Sequence, residues 1–171
     1  MTEPRRYYGK YRGSVINNVD PNQIGRIQVM VPDVSGTMIS SWAMPCLPVG
    51  GMLMGMFTVP PIGAGVWVEF EQGDPDYPIW TGCYWGSSAE VPALALTVPP
   101  GVSGITLQTT LQSGIVISDL PGPTGGIMLK SPTGATIIVN DTGIYIQNGQ
   151  GASIVMTGPT VTLNNGALVI T

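Results

Sequence analysis

From Ile105 to Ile170 the apolar residues fall in pairs two positions apart. The pairs are Ile105/Leu107, Ile115/Ile117, Ile127/Leu129, Ile137/Val139, Ile144/Ile146, Ile154/Met156, Val161/Leu163 and Leu168/Ile170. A spacing of two puts both members of a pair on one face of an extended strand. Turn residues separate the pairs: Ser113-Gly114, Pro121 to Gly126, Pro132-Thr133-Gly134, Thr142-Gly143, Asn148 to Gly151, Gly158-Pro159 and Asn164-Asn165-Gly166. Successive pairs begin 7 to 12 residues apart, too close to admit a helix in each unit. The pattern predicts eight short strands joined by tight turns.

Charge decides what such strands can do. From Val91 to Thr171 there is one basic residue, Lys130, and two acidic ones, Asp119 and Asp141. A lone ladder with so few charges would expose unprotected edges and aggregate. A single-chain solenoid needs about 20 residues per turn over several turns, and eight strands with two inward residues each supply under three turns. Three chains wound together supply eight layers over three faces, a rod of roughly 38 Å at about 4.8 Å per layer. The trimer is therefore the expected state, and the sixteen paired residues are its expected core.

The first half alternates differently. Tyr7 to Asn17 reads as a strand, Asn18 to Asn22 as a turn, and Gly25 to Val31 as a second strand with Ile27, Val29 and Val31 on one face. Ser41 to Pro48 is apolar and broken by proline, which predicts an irregular or edge segment. Gly50 to Phe57 is rich in methionine. Val66, Val68 and Phe70 point inward on the next strand, with Trp67, Glu69 and Glu71 outward. Gln72 to Pro78 is a tight acidic turn, and Ile79 to Trp85 a last strand. About five strands without a long helix predict a small Greek-key barrel of the OB type. The expected organisation is a barrel over 1–86, a proline-bearing linker over 87–103 and the strand repeat over 104–171.

Composition narrows the function. The 171 residues are 43% hydrophobic and only 9% charged, with 24 Gly and 16 Pro, which suits a turn-rich, self-associating all-β protein. A net charge of −4 argues against nucleic-acid binding, which draws much of its affinity from phosphate neutralisation. Val34 to Val68 lacks charge, yet its prolines and glycines forbid a membrane-spanning helix. Met1 to Arg6 leads into no apolar run, so no secretory signal is expected and assembly in the cytoplasm follows. Cys46 and Cys83 are expected as buried thiols, and with no histidine and no Cys-x-x-Cys pair no metal site is expected.

Several stretches together carry a resemblance. They are Tyr8-Gly9-Lys10-Tyr11-Arg12-Gly13, Asp20-Pro21, Gly25 to Val29, Trp42-Ala43-Met44-Pro45-Cys46, Gly65 to Glu71 and Gly73 to Gly82. They resemble the OB domain of the central spike of contractile tails: phage baseplate spikes, the VgrG proteins of type VI secretion and spikes of extracellular injection systems. The strand repeat, ending in Gly158 to Ile170, is similar to the intertwined triple-stranded β-helix of that family. The resemblance implies an all-β homotrimer whose OB end sits on a trimeric baseplate hub and whose needle pierces a target membrane on sheath contraction. It also implies a PAAR-like tip protein on the blunt end, contacting Ala167, Leu168, Val169, Ile170 and Thr171. No enzymatic activity and no cofactor are implied, and a chain of this length has no room for a fused effector.

The remaining candidates have plainer readings beside functional ones. Glu69, Glu71, Asp74 and Asp76 are the one carboxylate cluster. A glycosidase needs two carboxylates across a cleft, whereas Glu69 and Glu71 share a strand face and Asp74-Pro75-Asp76 reads as a turn. Met52, Met54 and Met56 either fill a core or form an adaptable surface for the hub or a neighbouring protomer. The rival classes are a trimeric tail adhesin and a cell-wall-degrading tail component. Against the adhesin, no aromatic residue follows Tyr145.

Overall fold

A computed structural model describes residues 5–170, in two compact units, Met1–Ser88 and Ala89–Thr171. In the first unit, β1 (Tyr11–Asn17), β2 (Ile27–Met30), β3 (Ile39–Pro45), β6 (Gly65–Phe70) and β7 (Pro78–Tyr84) close into a barrel in the order β1-β2-β3-β7-β6. A one-turn helix α1 (Pro32–Ser35) links β2 to β3, and a small hairpin, β4 (Gly50–Gly51) with β5 (Met54–Gly55), follows β3. Alternation along the strands builds the interior. Val15, Ile27, Val29, Ala43, Val66 and Val68 have no solvent exposure, and Val31, Phe70 and Trp80 close around them. The inward series Val66, Val68, Phe70 is the one that period two predicts.

The segment over Ser41 to Pro48 departs from expectation. Its part from Ser41 to Pro45 is neither irregular nor an edge, because β3 pairs antiparallel with β2 on one side and parallel with β7 on the other, whereas Cys46 to Pro48 is irregular as expected. Proline is tolerated because Pro45 ends the strand, where Met44 and Pro45 lie opposite Ile79 and Trp80. A buried hydrogen bond within the core pins the barrel as well. The Trp80 indole N–H donates to the Gly25 carbonyl at 3.1 Å, so the most voluminous core side chain leaves no buried donor unpaired.

The second unit holds all eight expected strands: β8 (Gly104–Gln108), β9 (Gly114–Ser118), β10 (Gly126–Lys130), β11 (Thr136–Asn140), β12 (Gly143–Gln147), β13 (Ser153–Thr157), β14 (Thr160–Leu163) and β15 (Leu168–Ile170). They form one antiparallel meander in chain order. Short turns make each strand pair with its chain neighbour, since a brief loop costs little entropy to close. Asn140 fastens one such turn, its Oδ1 accepting from the Thr142 and Gly143 N–H groups at 2.9 and 3.2 Å. Strand entries demand glycine: at Gly126, with φ +83°, a Cβ would run into the Val139 carbonyl oxygen.

Sister chains were the expected source of backbone partners for these strands. Within one chain the seven ladders already supply them, leaving among the described residues only the outer edges of β8 and β15 without a strand in the sheet. The need for company moves from the backbone to the side chains. Residues before the first strand are also ordered onto the unit: the Leu94 N–H donates to the Gln108 side chain at 2.9 Å, and Leu94 and Val116 are both buried.

Candidate assembly surfaces

The ladder registers align the paired residues across the whole sheet. Ile105, Ile117, Ile127, Val139, Ile144, Met156, Val161 and Ile170 are successive cross-strand partners. So are Leu107, Ile115, Leu129, Ile137, Ile146, Ile154, Leu163 and Leu168. The result is two unbroken apolar columns on one face, running from the first strand to the last. Direct cross-strand pairs of branched residues stabilise each rung. The columns are largely uncovered in the single chain: eleven of the sixteen side chains are exposed, among them Ile105, Leu129, Ile137 and Ile170, and the other five are half-buried. The opposite face carries one central row, including Val116, Met128, Ile138 and Tyr145, flanked by polar and glycine positions such as Gln108, Lys130, Thr136 and Gln147. A contiguous apolar face of this extent marks an interaction surface rather than a solvated one.

At the end of the sheet, a turn over Asn164–Gly166 leads into β15, with the Ala167 N–H donating to the Asn164 carbonyl at 3.3 Å. Leu168 and Ile170 are exposed, and among the described residues no strand pairs with the far edge of β15. Of the expected tip contacts, Thr171 and the Val169 side chain lie outside the described residues.

The methionine stretch is not core. Met52, Met54 and Met56 are exposed on the β4–β5 hairpin, with Leu53 fully exposed between them. The core-filling reading fails because the barrel interior is already closed by β-branched residues, Phe70 and Trp80. Beyond the far end of β3 a groove of about 270 Å³ opens, lined by Val34, Met38, Ile39, Phe70 and Pro75 among others.

The carboxylate cluster is dispersed by the fold. Glu69 pairs with Lys10 at 2.9 Å on the barrel surface, and Lys10 also donates to the Thr81 hydroxyl. Glu71 lies beyond the end of β6 in a 3-10 turn over Glu71–Gly73, so it does not share a strand face with Glu69 as expected. Asp74 pairs with Arg6 at 2.9 Å and accepts the Asp76 N–H at 3.2 Å, which is turn chemistry. Among the described residues no group of three or more His, Cys, Asp or Glu side chains could hold a metal. No helix among them is long and apolar enough to cross a membrane.

Two features had little or no sequence signal. Cys46 and Cys83 are free and exposed, not buried, although partial burial raises the Cys83 thiol above its usual range. β3 ends at Pro45, so Cys46 falls just outside the barrel, and Cys83 stands on the outward side of β7. The other feature is Asp20, whose carboxylate organises the β1–β2 connection. Its Oδ1 accepts from Arg26 Nη2 at 2.7 Å, Arg26 Nε at 3.1 Å and the Asn22 N–H at 3.0 Å. Its Oδ2 accepts from the Ile24 and Arg26 N–H groups at 3.0 and 3.2 Å. The Arg26 guanidinium, and then these backbone donors, hold the carboxyl well below the usual range against the opposing cost of burial. Arg26 also lies over the Trp42 ring, tying β3 to the loop. The acid and base six residues apart were visible in the sequence; the loop that folds one onto the other was not.

Two family models match the chain. Residues 11–85 match the type VI secretion system/phage-baseplate injector OB domain. Residues 104–169 match the phage baseplate V C-terminal trimerisation domain. A search of curated proteins found no significant match.

Proposed function

The chain belongs to the VgrG-like family of phage-baseplate V spike proteins, structural components of contractile-tail baseplates, and on that footing we propose that it works as a trimeric needle. Three copies would turn their two-column faces toward a common axis, so that the sixteen aligned residues of each chain form a dry threefold core. The unbroken register of those columns is the observation that carries the reading. Burial of apolar surface at about 25 cal/mol per Å² supplies the driving force, and the seven intrachain ladders supply stiffness across each face.

The mechanism is mechanical. Sheath contraction supplies force, a trimeric hub receives the barrel, and the strand-repeat unit meets the target envelope only on firing. The unpaired edge of β15 and the exposed Leu168 and Ile170 favour a PAAR-like tip protein seated there. Light scattering on the purified chain tests the trimer: three copies of 17.9 kDa give about 54 kDa. A mass near one copy would remove the basis for the needle.

A further inference from the structure

Two asparagines precede glycine in this chain, Asn148-Gly149 and Asn165-Gly166, and the fold treats them in opposite ways. Asparagine is a chemically labile residue. Before glycine it is open to attack by the next backbone nitrogen, because glycine has no Cβ to hold that nitrogen away from the side-chain amide. The attack needs two freedoms: an amide not engaged elsewhere, and a backbone able to rotate until the nitrogen stands against Cγ.

Asn148 has neither. Its Oδ1 accepts from the Gln150 and Ala152 N–H groups at 2.9 and 3.0 Å, and its own N–H donates to the Ala152 carbonyl at 3.1 Å. Gly149 is packed against the neighbouring turn, where a Cβ would lie 2.8 Å from both the Thr133 carbonyl oxygen and the Gly134 carbonyl carbon. Side chain and backbone are both fixed.

Asn165 has both. It is exposed, and among the described residues no hydrogen bond reaches its side chain. Neighbouring Asn164 takes the structural role, its Oδ1 accepting from the Ser153 N–H at 3.1 Å. Asn165 sits at φ +55°, a left-handed conformation that rotation of the backbone relieves. Gly166, at φ +99°, has open space where a Cβ would stand.

We propose that Asn165 is a self-modification site of this protein, converted by the Gly166 backbone nitrogen while the fold spares Asn148. The nitrogen gives its proton to solvent and bonds to Asn165 Cγ. The bond from Cγ to Nδ2 breaks, and Nδ2 takes a proton from solvent and leaves as ammonia. Water then opens the cyclic imide at either carbonyl, leaving an aspartyl residue or its isoaspartyl isomer. Each conversion adds one negative charge beside Ala167 and Leu168, in a stretch from Val91 to Thr171 whose acidic residues are Asp119 and Asp141. The isoaspartyl form also lengthens the main chain within the turn that sets Leu163 opposite Leu168. The chemistry needs only the folded second unit and does not depend on the trimer proposed above.

The test ages the full chain in mildly alkaline buffer, folded and in guanidinium chloride, before digestion with trypsin. Lys130 is the last basic residue, so Ser131 to Thr171 leaves as one peptide carrying both asparagines. Tandem mass spectrometry then reads both sites from one sample. Expected in the folded chain is amide loss several-fold faster at Asn165 than at Asn148, with methyl uptake from an isoaspartyl methyltransferase at the same position. Asn165→Gln should abolish both signals there, and in guanidinium chloride the two sites should convert at similar rates. Equal rates in the folded chain, or a lead of Asn165 that persists in guanidinium chloride, overturn the proposal, since the fold would not then select the site. So does an Asn165 that stays intact in the folded chain over a period that converts it in guanidinium chloride.

Discussion

Ile146 stands directly opposite Ile137 across the β11–β12 ladder, and directly opposite Ile154 on its other side. That places it mid-column, with an isoleucine on either side and polar Gln147 next along the strand on the opposite face. Replacing it by aspartate would gather three carboxylates around one point of the proposed core. Unpaired charge in a dry interior costs several kcal/mol, so Ile146→Asp should abolish the trimer in light scattering. Gln147→Glu, one residue away and outward, should leave the mass unchanged. A heat-stable trimer from Ile146→Asp would contradict the inward assignment.

Strand entry supplies a second prediction. At Gly143, with φ +154°, a Cβ would collide with the Met156 carbonyl oxygen and crowd the Thr157 side chain. The obstacle is backbone, which cannot swing aside. Gly143→Ala should therefore lower the stability of the second unit by about 1–3 kcal/mol, read as an earlier thermal transition. The same change at Gly151, where φ is +105° but nothing lies within 4 Å, should cost less. Equal losses at the two positions would show that contact with the neighbouring strand is not the cause.

Acid resistance of the barrel is the third. Asp20 has its folded pKa depressed below the unfolded value of about 3.9. A depressed carboxylate contributes stability fully above its unfolded pKa and loses it as pH falls through the folded one. The barrel should thus gain nothing from Asp20 on raising pH beyond about 5, and weaken only under strongly acid conditions. In Asp20→Asn the pH dependence below about 4 should flatten and the neutral-pH melting temperature fall. An unchanged pH profile, followed by tryptophan fluorescence, would remove Asp20 from the account.

The indole of Trp80 offers a fourth. Trp80→Phe keeps most of the core volume but leaves the Gly25 carbonyl without its donor at 3.1 Å. The expected loss is about 1–3 kcal/mol in urea unfolding, combining the missing hydrogen bond with the space vacated. Because the bond lies within the barrel, the light-scattering mass should not change. A change in mass would mean that the barrel interior and the assembly are coupled.

Much of this was legible along the chain. Period two named the sixteen column residues and the inward series Val66, Val68, Phe70, because strand geometry leaves alternate side chains no choice of face. Glycine, proline and asparagine between the pairs marked the turns for equally local reasons. The motifs over Tyr8 to Gly82 also carry the family resemblance in the sequence itself.

What tertiary structure alone decided was non-local. Ladder register turned eight separate pairs into two continuous columns, and pairing within the chain replaced the expected reliance on sister backbones for most ladder partners. Closure of β3 against β7 made a barrel strand of a segment whose prolines read as an edge. The exposure of Met52, Leu53, Cys46 and Cys83 followed from a core already filled by other residues, which no local pattern records. Alternation determines which way a side chain points; only the packed chain determines whether anything is there to meet it.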